Sequence, residues 1–407
     1  MAQTELLLEQ RVDFDPSQEV DAFARQVPAK WAIVLLADAA GQPVQLLSVK
    51  NLRACLKRRL GKPDPAEGPS RKVDYAQIVR QIRWRRVDSG FEADWVYLET
   101  ARVLFPKSYR GMVGFRPAWF IYVNPETAFP RYIKTIDLSP RPGHLLGPLE
   151  DKHAAARLIE RVEDAFDLCR YYQILVQAPN GNACAYKGMG KCPAPCDGSI
   201  SMEQYRRLME LSLTALLDPK DVVREHTRRM QQAAAELRFE LAQKIKTYVQ
   251  QLTEMSIGPF RHVRLIGDMV FVSLQRGPLT DTATVFLITP GQIQPIATVL
   301  SEPARPGELL RTLLTLAEDR VPERGGDEQS AVRGVDEQGA ERIGIVSHYL
   351  FSPKSGPQSA GVFLPLADIS ESALAKAYRD IRKQKPLAEV EGEGVVKELA
   401  GMGEKPE

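Results

Sequence analysis

Four of the five cysteines fall between Cys169 and Cys196, spaced C-x14-C-x7-C-x3-C, with Pro193 and Pro195 stiffening the last pair. Thiolates gathered in a cysteine-poor chain bind metal or do redox work more often than they form disulfides in a reducing compartment. The spacing therefore predicts a metal or cluster site at Cys169, Cys184, Cys192 and Cys196. It leaves the ion open. Zinc sites favour short C-x2–4-C pairs, which only Cys192 and Cys196 supply, and the two wide gaps suit an iron–sulfur cluster at least as well. Cys55 stands among leucines and reads as core.

Charge is the second concentration of chemistry. The whole chain carries a net charge of only +2, yet between Lys50 and Arg86 there are twelve Lys or Arg against three acids (Asp64, Glu67, Asp74). Such an excess fits a polyanion such as nucleic acid, and fits a solvated helix face equally well. The 407 residues, 44% hydrophobic and 26% charged, are those of a globular protein with room for two or three domains. No run of 18 apolar residues predicts a membrane span. The amino terminus MAQTELLLEQRVDFD is too acidic and too weakly apolar for a signal peptide, so the expected compartment is the cytoplasm.

These residues need elements to hold them. WAIVLLADAAGQPVQLLSV reads as a hairpin with Gly41 in the turn. KNLRACLKRRL follows as a helix with Leu52, Leu56 and Leu60 on one face, ended by Gly61 and Pro63. A second basic helix is expected over 72–86 and another helix over 92–106. The segment 115–136 holds two β-rich runs, AWFIYV and RYIKTI. Ser201 with Gln204 forms a capping box, and Asp218-Pro219 opens a further helix. From Met230 to Leu252 apolar residues recur at steps of three and four, giving one helical stripe or two halves of a hairpin. Residues 261–299 read as a strand meander, helices are expected at 307–319 and 341–351, and the polar stretch between them reads as a mobile loop. The tail after Pro386, with six acids against two lysines, reads as disordered.

The hairpin and helices, through Lys50–Arg53, Glu92 and Leu98-Glu99, resemble the amino-terminal GIY-YIG nuclease domain of UvrC-type excinuclease subunits and their Cho-like relatives. FPRYIKT at Phe129–Thr135 fits the segment after that domain. The resemblance implies a nuclease that holds a divalent metal on a glutamate and offsets phosphorane charge with an arginine. Arg53 and Glu99 fall on those two catalytic positions. The two signature triplets fall on Ala32-Ile33-Val34 and Gln45-Leu46-Leu47, so both tyrosines are replaced, and Val34 has no proton to exchange. Further positions of the pattern are occupied by Ser48, Lys57 and Gly111. The expectation is the fold of a nuclease without its chemistry.

GPLEDKHAAARLIERVEDAFDLC and ACAYKGMGKCPAPCDGSIS resemble that family's four-cysteine region, which implies Cys169, Cys184, Cys192 and Cys196 as ligands of a 4Fe-4S cluster or, alternatively, zinc. MQQAAAELRFELAQKIKTYVQQL looks like the UVR motif, the helical hairpin through which UvrB and UvrC associate. That likeness implies a UvrB-type helicase subunit as partner, with Met230, Ala234, Leu237, Phe239 and Leu241 as partner-binding residues. DNA is the second implied partner, through Lys50, Arg53, Lys57 and Arg58.

The resulting expectation is an α+β multidomain chain. It comprises a lead-in (1–29), a degenerate GIY-YIG-like α/β domain (30–140), a cysteine-cluster segment (147–217), a UVR-like helical hairpin (218–255), a small C-terminal α+β domain (256–386) and an acidic tail (387–407). Its expected role is a non-cleaving nucleotide-excision-repair component. The alternatives are an active endonuclease using Mg²⁺ or Mn²⁺, and a redox-responsive regulator sensing through the cluster.

Overall fold

The computed structural model describes residues 7–61, 73–114, 117–279, 282–300, 306–318, 334–352, 361–383 and 392–400. The chain begins with β1 (Gln10–Asp13), a short α1 (Val20–Ala24), the hairpin strands β2 (Ala32–Ala37) and β3 (Pro43–Val49), and α2 (Leu52–Leu60). A single turn, α3 (Tyr75–Ile78), leads to β4 (Gln81–Arg86) and the long α4 (Gly90–Leu104). Gly41 turns the hairpin at φ 77°, where a side chain would be strained. Asn51 caps α2 by accepting from the Ala54 amide at 3.1 Å.

The expected basic helix over 72–86 is thus corrected to one helical turn and a strand. Gln81, Arg83 and Arg85 alternate with the buried Ile82 and Trp84, the period of two that a strand with one covered face imposes. The first 29 residues are more than a lead-in, because β1 pairs with β4 antiparallel at the sheet edge. β2 is apolar throughout because both its faces are covered. Ala32, Val34 and Leu36 pack with Leu52, Cys55, Leu56 and Leu60 of α2. Ile33 and Leu35 pack with Phe91, Val96 and Leu98 of α4. The two helices therefore lie against opposite faces of the sheet.

After α5 (Tyr109–Val113) come β5 (Trp119–Val123), β6 (Ile133–Thr135), β7 (His144–Leu149) and α6 (Lys152–Ala165), and then the short turns α7 (Tyr172–Leu175) and α8 (Ala185–Gly188). Next are α9 (Met202–Leu217), α10 (Pro219–Ala235), α11 (Phe239–Glu254) and β8 (Arg264–Leu265). The second sheet has the order β6-β5-β7-β8. The expected boundary near residue 140 is corrected by this pairing, since β5 and β6 belong with β7 and share a core with α6, Cys169, Cys192, Tyr205 and Met209. The expected meander over 261–299 loses its first strand to the same sheet, where Leu265 pairs with Leu146. The capping box at Ser201 and Gln204 forms as read, and Asp218 caps α10 with Pro219 in its first turn.

The third sheet has the order β11-β10-β9-β12, from β9 (Phe271–Arg276), β10 (Thr282–Thr289), β11 (Gln292–Leu300) and β12 (Val362–Pro365). It carries α12 (Pro306–Glu318), α13 (Glu337–Phe351) and α14 (Glu371–Arg382). Of the polar stretch 322–339, expected as a loop, 322–333 lie outside the described residues, and 337–339 are corrected to the first turn of α13, capped by Asp336. Phe286, Ile288, Ile343 and Val346 pack into the core that α4 shares with the first sheet. Phe91 at the start of α4 meets Phe286, Tyr349 and Phe363 edge to face at 5.4–5.5 Å.

The chain then returns to its beginning. β13 (Val395–Ala400) pairs antiparallel with β3 and completes the first sheet as β1-β4-β2-β3-β13. The expectation of a disordered tail is corrected for 392–400. The acids that suggested disorder are partly neutralised, because Glu393 accepts from Arg58 and lies 3.7 Å from Arg59. Val395 and Val396 also bring β propensity.

Candidate functional site

The two residues expected to carry phosphodiester chemistry are not brought together. Arg53, on α2, donates from Nε and Nη2 to the carbonyl of Val27 at 3.1 and 3.0 Å. Glu99, on the helix against the opposite face, is held by three guanidinium contacts. Arg342 of α13 donates from Nε to Oε1 at 2.7 Å and from Nη2 to Oε2 at 3.0 Å, and Arg102 adds a third bond to Oε2 at 3.0 Å. Arg102 reaches on to Glu341 at 2.7 Å. Both carboxylate oxygens are thus occupied by a bidentate arginine from the C-terminal domain. These contacts tie α4 to α13 through Glu99.

The signature positions are also filled. Val34 is fully buried opposite Leu47. Gln45, buried as well, donates to the Tyr75 hydroxyl at 2.9 Å and accepts from Arg59 at 2.9 Å, while Arg59 stacks over the Tyr75 ring at 5.5 Å. A tyrosine hydroxyl does stand beside this strand, but it comes from α3 and is engaged in a side-chain network.

The basic stretch is largely paired within the protein. Lys57 meets Asp21 at 2.6 Å and Arg58 meets Glu393. Arg80 donates to the Ala76 and Val79 carbonyls, Arg85 faces Glu9 and Glu92, and Arg86 faces Asp88 and the Pro278 carbonyl. Lys50 lies half-buried beside α2, its backbone amide bonded to Gly394. Strand formation at 81–86 is what disperses the charge, because it sends neighbouring arginines to opposite faces of the sheet.

Three of the four clustered cysteines, Cys169, Cys192 and Cys196, are buried, and Cys184 is half-buried. The Cys169 thiol hydrogen-bonds to Cys192, which holds Cys192 below the ordinary thiol range at about 6 and drives Cys169 upward. A backbone hydrogen bond from Ala194 also favours the Cys192 thiolate. Ala194 adopts φ 54°, a left-handed conformation unusual for alanine. Burial raises Cys196, and the neighbouring Asp197 and Cys192 add to it. The Tyr205 hydroxyl accepts from the Cys169 amide at 3.1 Å and ties the loop to α9. Cys184 instead begins α8 as its N-cap residue. Among the described residues no group of three or more His, Cys, Asp or Glu side chains is arranged to hold a metal ion. The chemistry of the donors, reduced thiols with an amide aimed at sulfur, suits a soft metal or cluster, but Cys184 would have to join the other three.

The expected hairpin is present. Leu237 lies between α10 and α11 at φ 59°, a left-handed position that glycine usually fills. The Arg238 amide closes the end of α10 on the Ala233 carbonyl at 2.8 Å. The hairpin base is anchored by Tyr248, edge to face with Phe166 at 5.8 Å and His226 at 4.8 Å, and by the buried Leu252. Its tip is bare: Leu237 is 72% and Phe239 65% exposed. Ala234 is exposed as well, while Met230 and Leu241 are half-buried.

Residues 118–215 match the family described as "UvrC/Cho excinuclease, middle domain", and residues 220–254 match the "UvrB/uvrC motif". Over these two segments the chain is similar to UvrC-type proteins. Among curated proteins it is similar to "UvrABC system protein C" of Trichlorobacter lovleyi, 24% identical over 54% of this chain and 36% of that protein. The protein of the same name from Syntrophomonas wolfei is 26% identical over 43% of this chain and 29% of its own length, and that of Campylobacter jejuni is 23% identical over 62% and 42%. The chain thus spans about a third of the length of these UvrC relatives. No solved structure matches it. The match to the middle-domain model begins at 118, which agrees with the start of the second sheet and not with a boundary near 140.

Sequence reasoning missed Arg342, Arg102 and Glu393. The i,i+3 spacing of Arg102 from Glu99 was a local signal, whereas the Arg342–Glu99 and Glu393–Arg58 pairs span more than 200 residues, which no local spacing carries.

Proposed function

We propose that this chain is a non-incising component of UvrC-type excision repair that docks a UvrB-type helicase subunit through the hairpin of α10 and α11. The observation that carries the reading is the bare tip. Two large apolar side chains sit in water at a left-handed turn, while the hairpin base is packed onto the middle domain. Exposing Leu237 and Phe239 is unfavourable by about 25 cal/mol per Å² of apolar surface, and their burial in a partner groove recovers that energy.

A titration of a UvrB-type protein against Leu237→Ser/Phe239→Ser should show affinity falling by about 100-fold, roughly two hot-spot side chains. Unchanged affinity would remove the hairpin from the interface. Incision of a lesion-bearing duplex with Mg²⁺ or Mn²⁺, with and without that partner, should give no product. Product lost on Glu99→Ala would restore the nuclease reading. DNA contact through Lys50, Arg53, Lys57 and Arg58 would compete with Asp21, Glu393 and the Val27 carbonyl, so the proposal does not rest on it.

A metal or cluster on Cys169, Cys184, Cys192 and Cys196 is part of the same reading, with a structural role: it would join the loops between α6 and α9. Cys192→Ser is expected to leave purified protein poor in iron and zinc by elemental analysis and to lower its melting temperature. Full metal content in a folded variant would exclude Cys192 as a ligand.

A further inference from the structure

We propose that the surface formed by Arg131, Arg170, Tyr171, Tyr172 and Tyr186, beside the cysteine loop, is a stacking platform for single-stranded DNA. This deepens the DNA-repair reading by assigning DNA to the middle domain, and it is independent of hairpin docking.

Aromatic rings and guanidinium groups converge here from three segments distant in sequence. The Arg131 guanidinium, next to the edge strand β6, lies 3.7 Å from the centroid of the Tyr172 ring. Arg170 lies 4.4 Å from that of Tyr186, and Tyr186 meets Tyr171 at 5.8 Å in a tilted pair. Yet the surface is not closed over. Tyr171 is 49% and Tyr172 38% exposed, and Arg131 and Lys134 are exposed, with no carboxylate partner among the described residues.

Stacked arginines hold the rings in place, so little side-chain entropy is lost when a further planar group stacks on them. Bases in a duplex already stack on one another and hide their faces. Unpaired bases offer a face to any ring, whatever their sequence. The cations serve the backbone: Arg131 over the Tyr172 ring and the exposed Lys134 three residues along, on the edge strand β6, match the phosphates that must accompany stacked bases. Lys187 is committed to Asp197 at 2.5 Å and Arg170 to Asp164, so these two act mainly in shaping the platform. An apolar protein partner would be favoured by a patch without these cations, and a duplex by a larger basic surface without exposed rings.

The test uses the full chain, a fluorescein-labelled 20-nucleotide oligothymidylate and a labelled duplex of equal length, read by anisotropy. Wild type should prefer the single strand. Tyr171→Ala/Tyr172→Ala should weaken single-strand binding by at least about tenfold, since stacking on one ring corresponds to about 1–3 kcal/mol per base. Tyr171→Phe/Tyr172→Phe should retain it, which separates stacking from misfolding, and Arg131→Gln should reduce both affinity and its salt dependence. Partner affinity, measured on the same variants, should be unchanged. The proposal is overturned if the alanine pair binds the single strand like wild type, if the phenylalanine pair loses binding as fully as the alanine pair, or if the variants lose the protein partner while keeping DNA.

Discussion

Replacing Glu99 by alanine should cost the fold about 2–3 kcal/mol. Removing one partner of a buried ion pair leaves the other charge uncompensated, a loss of roughly 3–5 kcal/mol when both are fully buried. The Glu99 and Arg342 side chains retain 16% and 21% exposure, so solvent screens part of this. Arg342 would keep one hydrogen bond, to the Gly291 carbonyl at 3.1 Å, and the weaker attraction of Asp336 and Glu341. The loss should concentrate at the contact between α4 and α13 and appear as faster amide exchange in 337–351. Arg342→Ala combined with Glu99→Ala should cost less than the sum of the single changes, because both remove one interaction. A carboxylate kept for a catalytic metal behaves in the opposite sense, since removing unpaired charge from an active site commonly stabilises a protein. Denaturant unfolding in which Glu99→Ala equals or exceeds wild type would overturn the clamp and reopen the nuclease site.

Glu92 should make stability fall as pH rises. Its carboxyl is pushed up to about 7, chiefly by burial, against the opposing effects of the Asp88 amide and Arg85. The Asp88 amide donates to it at 3.2 Å, and Arg85 stands 3.7 Å away. It lines a cavity of about 450 Å³ with Glu9, Arg85, Arg86, Asp88 and Thr284. The native state therefore holds a proton that the unfolded chain releases near its ordinary value of 4.5. Between about pH 4.5 and 7 the native state binds more protons, so unfolding free energy declines with pH and levels off above 7. The full difference is about 3 kcal/mol, at 1.36 kcal/mol for each tenfold change in proton affinity. Asp88 is raised too, mainly by burial, and acts in the same direction. Glu92→Gln keeps an acceptor for the Asp88 amide. It should be about 3 kcal/mol more stable than wild type at pH 8 and nearly equal to it at pH 4.5. An equal effect at both pH values would show that Glu92 does not titrate in this window.

The sequence by itself determined the elements whose causes are local. Asn51, Ser201 with Gln204, and Asp218 with Pro219 each start a helix because a side-chain acceptor or a missing amide meets the bare amides of the first turn. The leucines of α2 fix which of its faces is buried, the apolar steps of 230–252 signalled the helices α10 and α11, and the cysteine spacing singled out the loop that becomes part of the core under the second sheet. Between 72 and 86 the sequence also carried the answer, since the period of two in Ile82 and Trp84 signals a strand, but the abundance of arginine drew the reading to a helix.

Only the tertiary structure decided the fate of the catalytic positions. Nothing near Glu99 in sequence announces Arg342, and nothing near Arg58 announces Glu393, because ion pairs between segments hundreds of residues apart depend on how sheets pack. The same packing placed α2 and α4 on opposite faces, so that Arg53 and Glu99 belong to helices on opposite sides of the first sheet. Arg131 and Tyr172 show the converse: two unremarkable surface residues become a platform only once the edge of the second sheet lies against the cysteine loop.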